Sequence, residues 1–185
     1  MTDEHRGFLK HAGVPASVSA RGLVGAASVS ISRGNIYQPD EGGKVAFIVP
    51  ARVYDPFTPE APEPETVPQF GTLIDLIAVV PAVPRQWASR LGLAAWLGAI
   101  EPQLCRPAPV AIRRSPWSWL RAGATGLCIL DRKALDQFRV LSQCREIIAE
   151  DPAHQRELRR VLERPFAVPP ITVQAAERCA GANHG

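Results

Sequence analysis

GLCILDRKALDQFRVLSQCREIIAED, residues 126–151, decides how the fold is read. Residues 126–130 form a short run of small apolar side chains that fits a buried strand, and residues 146–149, around Ile147-Ile148, fit another. Between them the apolar residues of 133–141 recur at helical spacing. A strand, a helix and a second strand in succession predict a crossover, because parallel strands need a connection of a dozen or more residues, usually a helix.

The same alternation extends outward in both directions. Upstream, residues 73–80 (LIDLIAVV) are read as a strand, with a helix capped by Thr72 and Asp75 as the alternative. Residues 84–99 carry Trp87, Leu91, Leu93, Trp96 and Leu97, an apolar pattern broad enough for a largely buried helix. Residues 109–112 are a short strand. Ser115 then stands as N-cap before Pro116 in the first helical position, and Gly123 stops the helix. Downstream, Asp151-Pro152 opens a helix with Leu158, Val161 and Leu162 on its apolar face, while Arg156, Arg159, Arg160 and Arg164 fall outside it. Residues 170–173 would add a last strand. The expected fold class is therefore α/β: an open, mostly parallel sheet of about five short strands with flanking helices.

The first part of the chain reads differently. Residues 23–54 alternate β-branched and small residues with turn signals, which predicts a β-hairpin or small meander, with Gly42-Gly43 supplying positive φ. Residues 55–68, DPFTPEAPEPETVP, hold five prolines and four carboxylates. Such a stretch lacks backbone donors and repels itself, so it predicts a linker or exposed loop. The expected division is a β-rich lobe over 1–54, a Pro/Glu-rich linker over 55–70, an α/β domain over 71–174 and a flexible tail over 175–185.

With 185 residues, 46% of them hydrophobic, the chain can bury a full core. Its 21 Lys+Arg against 18 Asp+Glu leave a net charge of only +3, too little to point to nucleic acid by itself. Residues 71–185 hold 15 basic and 10 acidic side chains, an excess of five. The polar start, Met1-Thr-Asp-Glu-His-Arg, argues against a secretory signal, and no apolar run approaches the roughly 18 to 20 residues that span a bilayer. No membrane association is expected. Cys105, Cys128, Cys144 and Cys179 form no CxxC, so free thiols in the cytoplasm are expected rather than a zinc or redox site.

In open α/β sheets, ligands bind beyond the carboxyl ends of the strands. Asp131 follows one expected strand, and Glu150 with Asp151 follows another. These three carboxylates could share an edge and hold Mg²⁺ for phosphate transfer or hydrolysis, with His154 as a general base oriented by Asp151. Helix capping is the simpler explanation of Asp131 and Asp151, and a partly buried histidine is the simpler explanation of His154. No nucleophile elbow, phosphate loop or dinucleotide fingerprint is present, and outside the Mg²⁺ alternative no cofactor or metal is expected.

The remaining constellation is basic and aromatic. Arg113, Arg114, Trp117, Arg121 and Arg132 fall within a short segment, and cationic tracks with stacking rings bind single-stranded nucleic acid. The tryptophans also suit a core. The expectation is a non-enzymatic cytoplasmic accessory protein, in character like those of bacterial mobile elements or prophages, that engages a protein or nucleic-acid partner through this segment and the N-terminal β-lobe. A Mg²⁺-dependent enzyme at the strand-end carboxylates is the alternative.

Overall fold

The structure, a computed structural model, describes residues 1–53, 72–83, 86–98, 109–130, 141 and 144–163. The turn-rich stretch forms the expected strands: β1 (Gly25–Ile31), β2 (Tyr37–Pro39) and β3 (Lys44–Val53). Positive φ is supplied by Gly34 and Asn35 in the β1–β2 turn, not by Gly42-Gly43. Gly43 is needed for a different reason: a Cβ there would run into the main chain of Val29 across the β1–β3 pairing.

β3 pairs antiparallel with β4 (Thr72–Val79), and β4 with β5 (Trp87–Ser89), giving a five-stranded antiparallel sheet in the order β2-β1-β3-β4-β5. The sheet curls into a half-barrel. Its two end strands approach each other where Ile36 bridges Ser89, whose N–H donates to the Asn35 carbonyl at 2.8 Å. A second, mixed sheet follows the order β6-β8-β7-β9, from β6 (Trp96–Leu97), β7 (Val110–Arg113), β8 (Leu127–Ile129) and β9 (Ile147–Ile148). β7 runs parallel to both β8 and β9, and β6 runs antiparallel to β8.

The open, mostly parallel α/β sheet is thus overturned. Apart from the isolated Ile36–Ser89 bridge, parallel pairing among the described residues is confined to strands of two to four residues in the smaller sheet, and β8 and β9, the two strands of the deciding stretch, flank β7 instead of each other. The connection from β4 to β5 is too short for a crossover, so those strands must be antiparallel. The helix expected over 84–99 is replaced, in its described part, by β5 and β6. A buried carboxylate, Asp75, takes main-chain N–H groups of that segment that a helix would use, and Gly92 and Gly98 adopt positive φ within it.

The described helices are α1 (Asp3–His11), α2 (Ala16–Ala20), α3 (Pro116–Arg121) and α4 (Pro152–Leu162). The first two were not foreseen, although Thr2 caps α1 with a reciprocal box to His5. α3 and α4 start where the sequence places them, capped by Ser115 and Asp151 with proline next in line. The expected linker, most of the 133–141 helix, the strand over 170–173, the tail, Arg164 and the side chain of Val161 lie outside the described residues.

One face of the five-stranded sheet, with Phe47, Val49, Ile77 and Val79, packs against Leu9 and Val18 of the N-terminal helices, Trp117 and Leu120 of α3, and Leu97 and Cys128 of the smaller sheet. Burial of each such side chain contributes roughly 1.5–3 kcal/mol. The other face gathers small residues, Ala46, Ala78 and Ala88, around Val29 and Tyr37. α4 covers the smaller sheet by laying Leu158 on Trp96, Val110, Ile112 and Leu127.

Candidate functional site

Of the expected carboxylate edge, Asp131 lies outside the described residues, and Glu150 is exposed. Asp151 is the N-cap of α4 and accepts the His154 N–H at 2.8 Å. Both of its oxygens also receive Arg114, whose two terminal nitrogens donate at 2.9 Å each. The Arg114 guanidinium, helped by that N–H, holds the Asp151 carboxyl at about 2. Arg114 Nε lies 3.3 Å from a Glu157 oxygen.

His154 is buried, and its Nδ1 accepts the Glu150 N–H at 3.2 Å, so its lone pair is already occupied by the backbone. Burial first, then the neighbouring Arg114 charge, pushes its pKa below the ordinary histidine value, against the opposing pull of Glu150, Glu157 and Asp151. Among the described residues, no group of three His, Cys, Asp or Glu side chains is placed to hold a metal ion.

The basic and aromatic segment divides in the same way. Trp117 and Trp119 are buried; Trp117 packs against Phe47 and Phe8, and Trp119 donates its indole N–H to the Gly126 carbonyl at 3.0 Å. Arg113 reaches the Thr125 carbonyl, and Arg114 is committed to Asp151. Arg121 is exposed beside Gly13, and Arg132 lies outside the described residues. The structure therefore brings together Arg114, Asp151 and His154, one from the basic set and two from the acidic set, as a joint between β7–α3 and α4.

The most highly organised polar group is one the sequence reading did not select. Asp75, 2% exposed, lies on β4 where the β3–β4 register shifts. Its carboxylate accepts main-chain N–H groups of Leu76, Arg90, Leu91, Leu93 and Ala94 at 2.8–3.2 Å, together with the Ser89 hydroxyl. Burial favours the neutral acid, yet the bonds from Ser89, Leu91, Leu93 and Leu76 outweigh it and hold the carboxyl below its ordinary range. Arg90 extends the arrangement by donating to the Tyr37 carbonyl at 3.1 Å and to the Gln38 side chain, which fastens the loop to the opposite end of the sheet.

The loop at residues 89–94 is thus held from within while Leu91 and Leu93 stand 62% and 66% exposed. Beside it, between the Gly34–Ile36 turn and β5, opens a cleft of about 610 Å³ floored by Ile77, Ala94 and Leu130 and walled by Trp87. The signal for this site was a single acidic residue inside the apolar run LIDLIAVV, since an unpaired charge on a buried strand must find donors. Compared with protein-family models, with curated proteins and with solved structures, the chain matches none.

Proposed function

We propose that the protein is a non-enzymatic binding protein that docks a protein partner on the 89–94 loop and the adjoining cleft. The observation that carries this reading is the contrast between the inner and outer sides of the loop. Four backbone donors of the loop and the Ser89 hydroxyl converge on one buried carboxylate, and the outer side offers two large apolar side chains to solvent. A loop already fixed in its bound shape loses little entropy on association, and paired exposed leucines beside a cleft give a partner apolar area to bury. The buried free thiol of Cys128 supports a reducing compartment, the cytoplasm. Among the described residues, no helix is long and apolar enough to cross a membrane.

The test is a quantitative affinity capture with the tagged full chain and a Leu91→Ser/Leu93→Ser double variant, each from nuclease-treated lysate. A protein retained by the parent and lost by the variant, at unchanged thermal midpoint, supports the reading. Retention of the same proteins by both sinks it.

A further inference from the structure

Among the described residues the exposed arginines include Arg33, Arg121 and Arg145 and three that stand together on one helix, Arg156, Arg159 and Arg160. Arg6, Arg21, Arg90, Arg113 and Arg114 each donate to a carboxylate or a main-chain carbonyl, and the bonds of Arg21, Arg90 and Arg114 join segments far apart in the chain. Arg156, Arg159 and Arg160 do not: all three are exposed on α4, and among the described residues none is in an ion pair or a side-chain hydrogen bond.

Their positions follow from helix geometry. His154 and Leu158 are buried against the smaller sheet with Leu162 half-buried beside them, a spacing of four that defines the inward side of α4. Positions 156 and 160, four residues apart, lie opposite the buried side, and 159, three residues from 156 and from the half-buried Leu162, flanks them. The cluster spans about 6 Å along the axis. Glu157, whose charge could neutralise it, lies 3.3 Å from the guanidinium of Arg114 at the edge of the inward side. Glu163, the C-cap, is one turn further along the same face and pairs with none of the three among the described residues.

We propose that the outward face of α4 is a docking surface for the phosphate backbone of nucleic acid, contacted by Arg156, Arg159 and Arg160. Guanidinium forks match phosphate oxygens in a bidentate manner. A compact cluster of cations on a helix also suits a polyanion whose charges follow one another continuously, whereas an acidic protein would have to place carboxylates at matching positions. The surface is separate from the Asp75-held loop, and the inference does not depend on a partner there.

Fluorescence anisotropy of a short labelled DNA duplex with the full chain, at several salt concentrations, tests it. Three phosphate contacts predict a log–log salt slope of about −2.7, equivalent to about 40-fold weaker binding at 200 mM than at 50 mM salt. The Arg156→Gln/Arg159→Gln/Arg160→Gln variant should lose that dependence, while Arg33→Gln, at an exposed arginine of the β1–β2 turn, should keep it. Glu163→Gln should tighten binding, a change that a merely structural role would not produce. If the triple variant does not fold, each single variant should lower the slope by about 0.9. No duplex binding at 50 mM salt, an unchanged slope in the variants, or binding of poly-glutamate in preference to the duplex would each overturn the proposal.

Discussion

Arg114 and Asp151, 37 positions apart, meet through two parallel hydrogen bonds of 2.9 Å each. The pair fastens the end of β7 to the cap of α4, so one carboxylate both starts a helix and anchors it to the sheet. Asp151→Asn should keep the cap and lose the ion pair, and Asp151→Ala should lose both, so thermal midpoints should fall in the order parent, Asn, Ala. The parent carboxyl titrates at about 2, below the ordinary 3.8 of the unfolded chain. Its contribution is therefore complete above that ordinary value and disappears as the pH falls through about 2. Acid unfolding of Asp151→Asn should lack this segment; identical acid profiles would refute the role.

His154 introduces a second pH dependence. It is buried as the neutral ring, with a folded pKa below the ordinary 6.5, so the native state resists protonation more than the unfolded chain does. Stability is thus highest above 6.5 and declines as the pH falls from there through the lower folded value. His154→Asn keeps an oxygen where Nδ1 accepts the Glu150 N–H and removes the titration. Urea midpoints measured at about pH 7.5 and about pH 5 should fall for the parent and stay nearly level for the variant.

Asp75 is the most sensitive position in the larger sheet. Asp75→Ala would leave five main-chain donors and the Ser89 hydroxyl without their acceptor, at a cost on the order of 4 kcal/mol. Amide exchange should accelerate at Leu91, Leu93 and Ala94 beyond any effect on α4. Added formate, small enough to enter the vacated space, should restore part of the lost midpoint. Uniform destabilisation with no response to formate would mean that Asp75 does not organise the loop.

The local grammar of the chain was readable in many places. Ser115-Pro116 and Asp151-Pro152 announce helix starts because a capping side chain followed by proline satisfies the exposed donors at a helix entry, and both starts are observed. Residues 73–80, 109–112 and 126–130 contain the strands β4, β7 and β8 in large part. Partner choice was not readable, because apolar runs record burial without recording direction. The apolar richness of 84–99 suited a buried helix as well as two short strands, and what separates them is Asp75, a residue outside the segment. The N-terminal helices were missed for a related reason: α1 has only Leu9 buried, too narrow a stripe to show in nine residues. At the candidate site, acidic and basic residues were assigned to rival activities, and two of them, Arg114 and Asp151, instead neutralise each other.

The pairing of β3 with β4 also makes the protein a natural two-piece assembly. Residues 1–53 carry Leu9, Val18, Phe47 and Val49, whereas Ile77, Val79, Trp117 and Leu120, which complete the same core, belong to the chain after residue 71. A chain cut between those strands should yield two halves that each expose an uncovered sheet edge and an apolar face when alone, and that recover one fold only on meeting. Such a split would turn the central strand pairing into a reporter of proximity between whatever the two halves are fused to.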